Sequence, residues 1–248
     1  MKNKMLSILK KYLIPAVFWL GLWQIASQLI GREFLLPGIP ATLSALVGLI
    51  GDGDFYLAVL FSALRVLIGL TLGTLIGFGF ALLCDRYPLF RDLISPMMTV
   101  IKSTPVASFI LVLWVLMSGD ALSVFIGFLM VMPIVYQNIT DGLSAVDKDL
   151  SEVAFIFNFS RSKRFLLLTM PTLRGYLFPA IITASGLAWK AEIAAEVIAY
   201  TKNSIGQGIN DAKYNMETPT VFAWTAVIIV LSILLEKSAR ALMRRYGK

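Results

Sequence analysis

The sequence contains no histidine and a single cysteine, Cys84. Without imidazole there is no histidine metal ligand, no imidazole general base and no histidine pH switch. One thiol excludes an internal disulfide and a thiolate-rich metal centre. Charge is scarce too: 15% of residues are charged, against about 25% in ordinary soluble domains. No Gly-x-x-x-x-Gly-Lys-Ser/Thr phosphate loop is present, so the chain is not expected to bind or hydrolyse ATP itself. No organised nucleophile and base appear either, and enzyme chemistry is not expected.

Apolar residues fill the space that charge leaves. They make up 58% of the chain, and the mean hydropathy is +0.79. Several apolar runs reach the roughly 20 residues needed to cross a bilayer. The expected fold is all-α and integral to the membrane, with about six transmembrane helices in one domain covering residues 1–248. The basic start, Met1 to Lys11, precedes a first span, Tyr12 to Ile30, which lacks the small-residue cleavage site of a removable signal. Gly31 to Asp54 reads as a loop with a short helix inside it. The second span lies within Tyr56 to Cys84, where Gly69, Gly73 and Gly77 share one helical face and permit close helix contact.

Asp85 to Asp92 reads as a polar turn. The third hydrophobic region, Leu93 to Met117, is interrupted by Lys102-Ser103-Thr104-Pro105, where proline removes a helical hydrogen bond. Such a break at membrane depth is tolerated where it faces protein or a water-filled path. Gly119-Asp120 reads as an outer turn, and Ala121 to Ile139 as a fourth span with Pro133 as a kink. The fifth span covers Tyr176 to Tyr200, a polar loop carries Gly206 and Gly208, and the sixth span covers Pro219 to Leu235.

The net charge of +7 is distributed with a clear bias. Basic residues gather at the N-terminus (Lys2, Lys4, Lys10, Lys11), the second connection (Arg86, Arg91), the fourth connection (Lys148, Arg161, Lys163, Arg164, Arg174) and the C-terminus (Lys237, Arg240, Arg244, Arg245, Lys248). The other side has only Arg32, Lys202 and Lys213. This asymmetry predicts both termini in the cytoplasm, and membrane anchoring rather than nucleic acid explains the basic balance.

A central charge costs a membrane helix several kcal/mol, so ionisable residues within spans need a reason. Glu192 and Glu196 are four apart and share a face; with Lys190 they form either a polar seam along a passage or ion pairs within the bundle. Arg65 and Lys102 are candidate cations for an anionic solute, or snorkel to an interface. Pro105 marks the break, and Phe109 lines a pore or simply packs. The charged connection Ser151 to Pro171 is amphipathic. If helical, it puts Glu152, Phe155 and Phe159 on one face, with Arg161, Lys163 and Arg164 rimming a docking surface for a partner, or resting in the lipid headgroup layer.

Within that connection, Glu152-Val153-Ala154, Asn158 and Met170-Pro171 resemble the EAA signature of permeases in bacterial ABC importers. Val153 stands where the signature has alanine, and Asn158 where it has glycine; asparagine tolerates left-handed backbone better than most residues. The six-span order, the Lys-Ser-Thr-Pro-Val interruption and the AEIAAEVIA stretch before Gly206-x-Gly208 look like the nitrate/sulfonate/taurine branch. The resemblance implies a type I ABC importer permease fold with a cytoplasmic coupling helix, carried here by Glu152, Ala154, Phe155, Asn158, Phe159, Arg161 and Pro171. It implies a permease homodimer in the bacterial cell membrane, two partner subunits that bind ATP and magnesium, and an extracytoplasmic substrate-binding protein. No cofactor is expected on this chain. The implied solute is a small anion such as a sulfonate, taurine or nitrate. A thiamine-precursor pyrimidine, or another aromatic or cationic solute, is the alternative. An ATPase-independent secondary transporter or channel is the rival from another class, and the inverted repeats that would favour it are not visible.

Overall fold

A computed structural model of the protein describes the backbone of residues 2–246 and the side chains of residue 11, residues 13–241 and residue 243. The side chains of Lys2, Lys4, Lys10, Arg244 and Arg245, and all of Lys248, lie outside the described residues. The described chain is helical, with no strand among the described residues. Long helices are α1 (Lys2–Ile30), α3 (Gly53–Arg86), α6 (Gly119–Ser144), α9 (Met170–Ala199) and α11 (Thr218–Tyr246); shorter ones are α2 (Ile39–Ile50), α4 (Pro88–Ser103), α5 (Val106–Trp114), α7 (Lys148–Ile156), α8 (Arg161–Arg164) and α10 (Ile205–Tyr214). Five helical stretches are long and apolar enough to span a membrane, and α4 with α5 makes a sixth if the bent pair counts as one span.

Glycine sets the centre of the bundle. Helices α3 and α6 run parallel, with Gly69 against Val124 and Phe128, Gly73 against Val131, and Gly77 against Met132 and Val135. A Cβ at any of the three would overlap its neighbour, so the small face is what lets the backbones approach. Helix α9 runs antiparallel to α6: Gly142 packs on Leu173 and Tyr176 near one end, Gly127 on Glu192, and Gly119 on Thr201 at the other end. This trio divides the molecule into an end bearing α7 and an end bearing α10. A second apolar cluster, including Trp189, Ile205 and Trp224, joins α9, α10 and α11. Helix α1 buries none of the window Leu13–Ile30. It is fastened near its end by Trp23 Nε1 donating to the Pro37 carbonyl (3.1 Å) and by Gln24 Oε1 accepting from the Ile39 N–H (2.8 Å).

Three boundaries differ from the expectation. Asp85 to Asp92 is not a turn: α3 continues to Arg86 and α4 starts at Pro88, leaving Tyr87 as the hinge residue. Pro88 suits that first position because its missing N–H would be unpaired there anyway. Gly119-Asp120 is likewise the first turn of α6, following an extended Ser118. The polar stretch with Gly206 and Gly208 is helix α10. Two glycines weaken its propensity, but Ser204 Oγ caps it by accepting from the Gln207 N–H (2.9 Å), and Gln207 Oε1 accepts from the Asn203 N–H (2.7 Å). The expected interruption at Pro105 is a full break, with α4 and α5 meeting at 101°. Thr104, preceding the proline, is extended (φ −81°, ψ 131°), as steric conflict with a proline ring requires.

Candidate functional site

The charged connection holds the first candidate surface. Asp147 caps α7, its carboxylate accepting from the N–H groups of Asp149 (2.8 Å) and Leu150 (3.2 Å). The helix ends at Ile156. There the Asn158 N–H donates to the Phe155 carbonyl (3.0 Å) and the Phe159 N–H to the Ala154 carbonyl (2.9 Å), while Asn158 takes φ 53°. This pair of bonds around a left-handed residue is the Schellman ending, a position glycine usually fills and asparagine sometimes does. Ala154 is buried, whereas Phe155, Ile156 and Phe157 are each more than 70% exposed.

Phe159 does not share a helical face with Glu152 and Phe155, because the chain leaves the helix before it. It is half-buried, with Lys163 Nζ 4.2 Å from its ring centroid. The exposed tip is thus Phe155–Phe157 rather than Phe155 with Phe159. Glu152, Arg161, Lys163 and Arg164 are exposed around it. Ser160 caps α8, a π-helical turn over Phe165–Thr169 follows, and Pro171 sits at the start of α9.

The second candidate set, within the spans, separates into two groups. Arg65 is buried at the α10 end, where its Nη1 lies 3.0 Å from Glu196 Oε1 and its Nη2 lies 2.7 Å from Asp120 Oδ1. Its Nη2 also donates to the Lys202 carbonyl (3.1 Å). The other Glu196 oxygen accepts from Ser62 Oγ (2.8 Å) and from the Gly206 N–H (3.3 Å), and Ser62 Oγ accepts from the Ile205 N–H (3.0 Å). This network ties α3, α6, α9 and α10 together. Ser62 and Asp120 are its members that sequence reasoning missed; Ser62 lies three residues before Arg65 and so shares its face. With its donors so committed, Arg65 is a structural cation rather than one free for a solute.

Glu192 is fully buried where α3, α6 and α9 meet, and neither carboxyl oxygen has a hydrogen-bond partner. Gly69 and Gly127 supply the space it fills. Lys190 does not join it: two residues along a helix is about 200° around it, and Lys190 is exposed on the face that also carries Thr183, Leu187 and Ala194. The three residues therefore form no common seam. Lys102 is exposed at the end of α4, Pro105 opens α5, and Phe109 is half-buried against the main core.

The fold has counterparts among known proteins. Residues 69–248 match the family described as binding-protein-dependent transport system inner membrane component. The chain belongs to that family. It is 24% identical over 230 residues to the taurine transport system permease protein TauC of Escherichia coli, covering 90% of this chain and 83% of the relative. It is 26% identical over 249 residues to the putative aliphatic sulfonates transport permease protein SsuC of Bacillus subtilis, covering 97% and 87%. The nitrate import permease protein NrtB of Synechococcus elongatus is 25% identical over 224 residues, covering 86% of this chain and 80% of the relative. A bacterial ABC transporter that imports the acidic polysaccharide alginate has a chain of the same fold, with a TM-score of 0.66 at 14% identity over 100% of this chain and 98% of that one. Membership makes this protein a multi-pass inner-membrane transport component, and the neighbours bear out the importer-permease fold.

Proposed function

We propose that this protein is the permease of an ATP-driven importer for a small oxyanion, working as two copies with two ATP-binding partner subunits and an extracytoplasmic binding protein. The observation that carries the reading is α7: an exposed Phe155–Phe157 tip, capped by Asp147 and closed by the Asn158 turn, on a chain with no phosphate loop of its own. Partners carrying ATP and magnesium would seat this tip in a groove, and closure of their dimer would move both α7 helices together. The basic residues around α7 support a cytoplasmic position for that end and for both termini. The α10 end then faces the binding protein.

The exposed Lys190 supports a second copy. A lysine facing lipid near mid-span costs several kcal/mol, so this face of α9 lies against protein or water, and a second permease supplies both. The small-oxyanion solute follows from the taurine, nitrate and sulfonate relatives.

Replacing the tip by Phe155→Asp with Phe157→Asp tests the coupling role. Both side chains are solvent-exposed, so the spans are expected to assemble normally while the ATPase no longer co-purifies and uptake stops. ATP-driven uptake at the unmodified rate would overturn the assignment.

A further inference from the structure

At the α7 end, helices α3, α4 and α6 border an open cavity of about 290 Å³, near the lower size of small-molecule pockets. One face of α4 supplies Arg91, Ser95, Thr99 and Lys102, and α6 supplies Tyr136 and Thr140. A polar wall of this kind at membrane depth is tolerated where it faces protein or a water-filled path.

The donors in the cavity are distinguishable. Thr99 and Thr140 spend their hydroxyl protons on carbonyls of their own helices. Ser95 Oγ and Tyr136 Oη lie 3.0 Å apart, so one donates to the other, and the Tyr136 hydroxyl also meets the side chains of Cys84 and Thr140. Lys102 takes part in no ion pair among the described residues and carries three donors. At the opposite end Arg91 Nε donates to the Cys84 carbonyl (3.3 Å), and Asp85 shares the lining there. Eleven residues of helix separate Arg91 from Lys102, about 16 Å, so Asp85 offsets the charge at the mouth and leaves Lys102 unopposed at the inner end. Lys102 also borders a second cavity of about 280 Å³, lined by Thr104, Val106, Met130, Pro133 and Leu187. It stands where the polar cavity meets the break between α4 and α5.

We propose that the inner end of this cavity is an oxyanion site, in which the Lys102 ammonium holds a sulfonate, nitrate or bicarbonate group against the polar wall that Ser95 and Tyr136 supply. The site's place on a transport path rests on the importer reading; its chemistry does not.

The test uses the purified full chain in lipid nanodiscs, with Thr99→Cys introduced beside the site in a Cys84→Ser background. Two thiol reagents are compared: 2-sulfonatoethyl methanethiosulfonate and its trimethylammonium counterpart. Relative to their ratio on free 2-mercaptoethanol, the sulfonate reagent should be favoured at least ~5-fold by the local positive potential. Adding Lys102→Gln should abolish the preference, and Lys102→Arg should keep it, which separates lost charge from lost folding. Ethanesulfonate or sodium nitrate, in separate arms, should slow the labelling. Protection by either supports the site and tells which oxyanion geometry it prefers. Labelling without charge preference, a preference unchanged by Lys102→Gln, protection by neither anion, or failure of both reagents to reach the cysteine overturns it. ATPase co-purification is scored on the same protein. Its loss with protection intact fails the importer reading alone, and the reverse fails the site alone.

Discussion

The two ends of the central trio α3, α6 and α9 are built on opposite principles. At the α10 end, charge is consumed internally: Arg65, Glu196, Asp120 and Ser62 satisfy one another and hold four helices in one arrangement. At the α7 end, charge and apolar surface are left unspent, with Lys102 unpaired at a cavity and Phe155–Phe157 exposed on a capped helix. Both ends rest on the same glycine-packed middle. The comparison shows where such a bundle can afford motion. A locked junction moves as a unit, while an end with unfilled donors and an unpartnered tip waits for a solute and a partner.

The largest effect is expected from attacking the lock. Arg65→Leu leaves the Glu196 carboxylate buried without its cation, and breaking a buried pair in this way costs about 3–5 kcal/mol. Unfolding of the purified protein should shift accordingly, and Arg65→Leu combined with Glu196→Leu should recover much of the loss, since an apolar pair needs no partner. A loss below about 1 kcal/mol, the range of exposed pairs, would mean that the α10 end is no more fixed than the other. Next in size is the middle. Gly73→Val forces a branched side chain onto Val131 and the Phe128 carbonyl, an overpacking expected to cost about 1–3 kcal/mol or more in the same unfolding measurement. A neutral result would show that α3 and α6 separate readily, and the contrast between a fixed and a mobile end would fail with it.

How much of this was legible in the sequence follows the same division. The spans and the break at Pro105 are local matters of hydropathy and proline sterics, each readable from consecutive residues, whereas the left-handed Asn158 is suggested only by the glycine of the signature that it replaces. The lock could not. Arg65 and Glu196 are 131 positions apart, and no local pattern says that a span cation is already answered by a distant carboxylate. Helix α10 was hidden because its two glycines read as loop; tertiary contact of Gly206 with Glu196 and of Gly208 with Trp224 outweighs their propensity. Lys190 was grouped with Glu192 by nearness in sequence, although their spacing of two puts them on opposing faces. Phe159 was placed on a helix that the Asn158 turn ends first.

The smallest effect expected is at that turn, and it tests the free end most directly. Asn158 holds φ 53° while the amides of Asn158 and Phe159 close α7 onto the carbonyls of Phe155 and Ala154. Asn158→Gly fits the same geometry with no Cβ, so it should leave the turn intact and uptake unchanged. Asn158→Val places a branched Cβ in the left-handed region at a cost of about 1–2 kcal/mol, which lowers the equilibrium constant for closing the turn by roughly 5- to 30-fold. The two amides should lose protection from hydrogen exchange by about that factor, while the spans keep theirs. ATP-driven uptake should fall in parallel, because an uncapped α7 no longer presents Phe155–Phe157 at a fixed angle to a partner. If the valine variant keeps both amide protection and uptake, the rigidity of α7 does not depend on the Asn158 turn. The asparagine would then be a replacement without mechanical consequence. If protection falls but uptake does not, the partner itself imposes the shape of the tip, and the α7 end is more adaptable than its cap suggests.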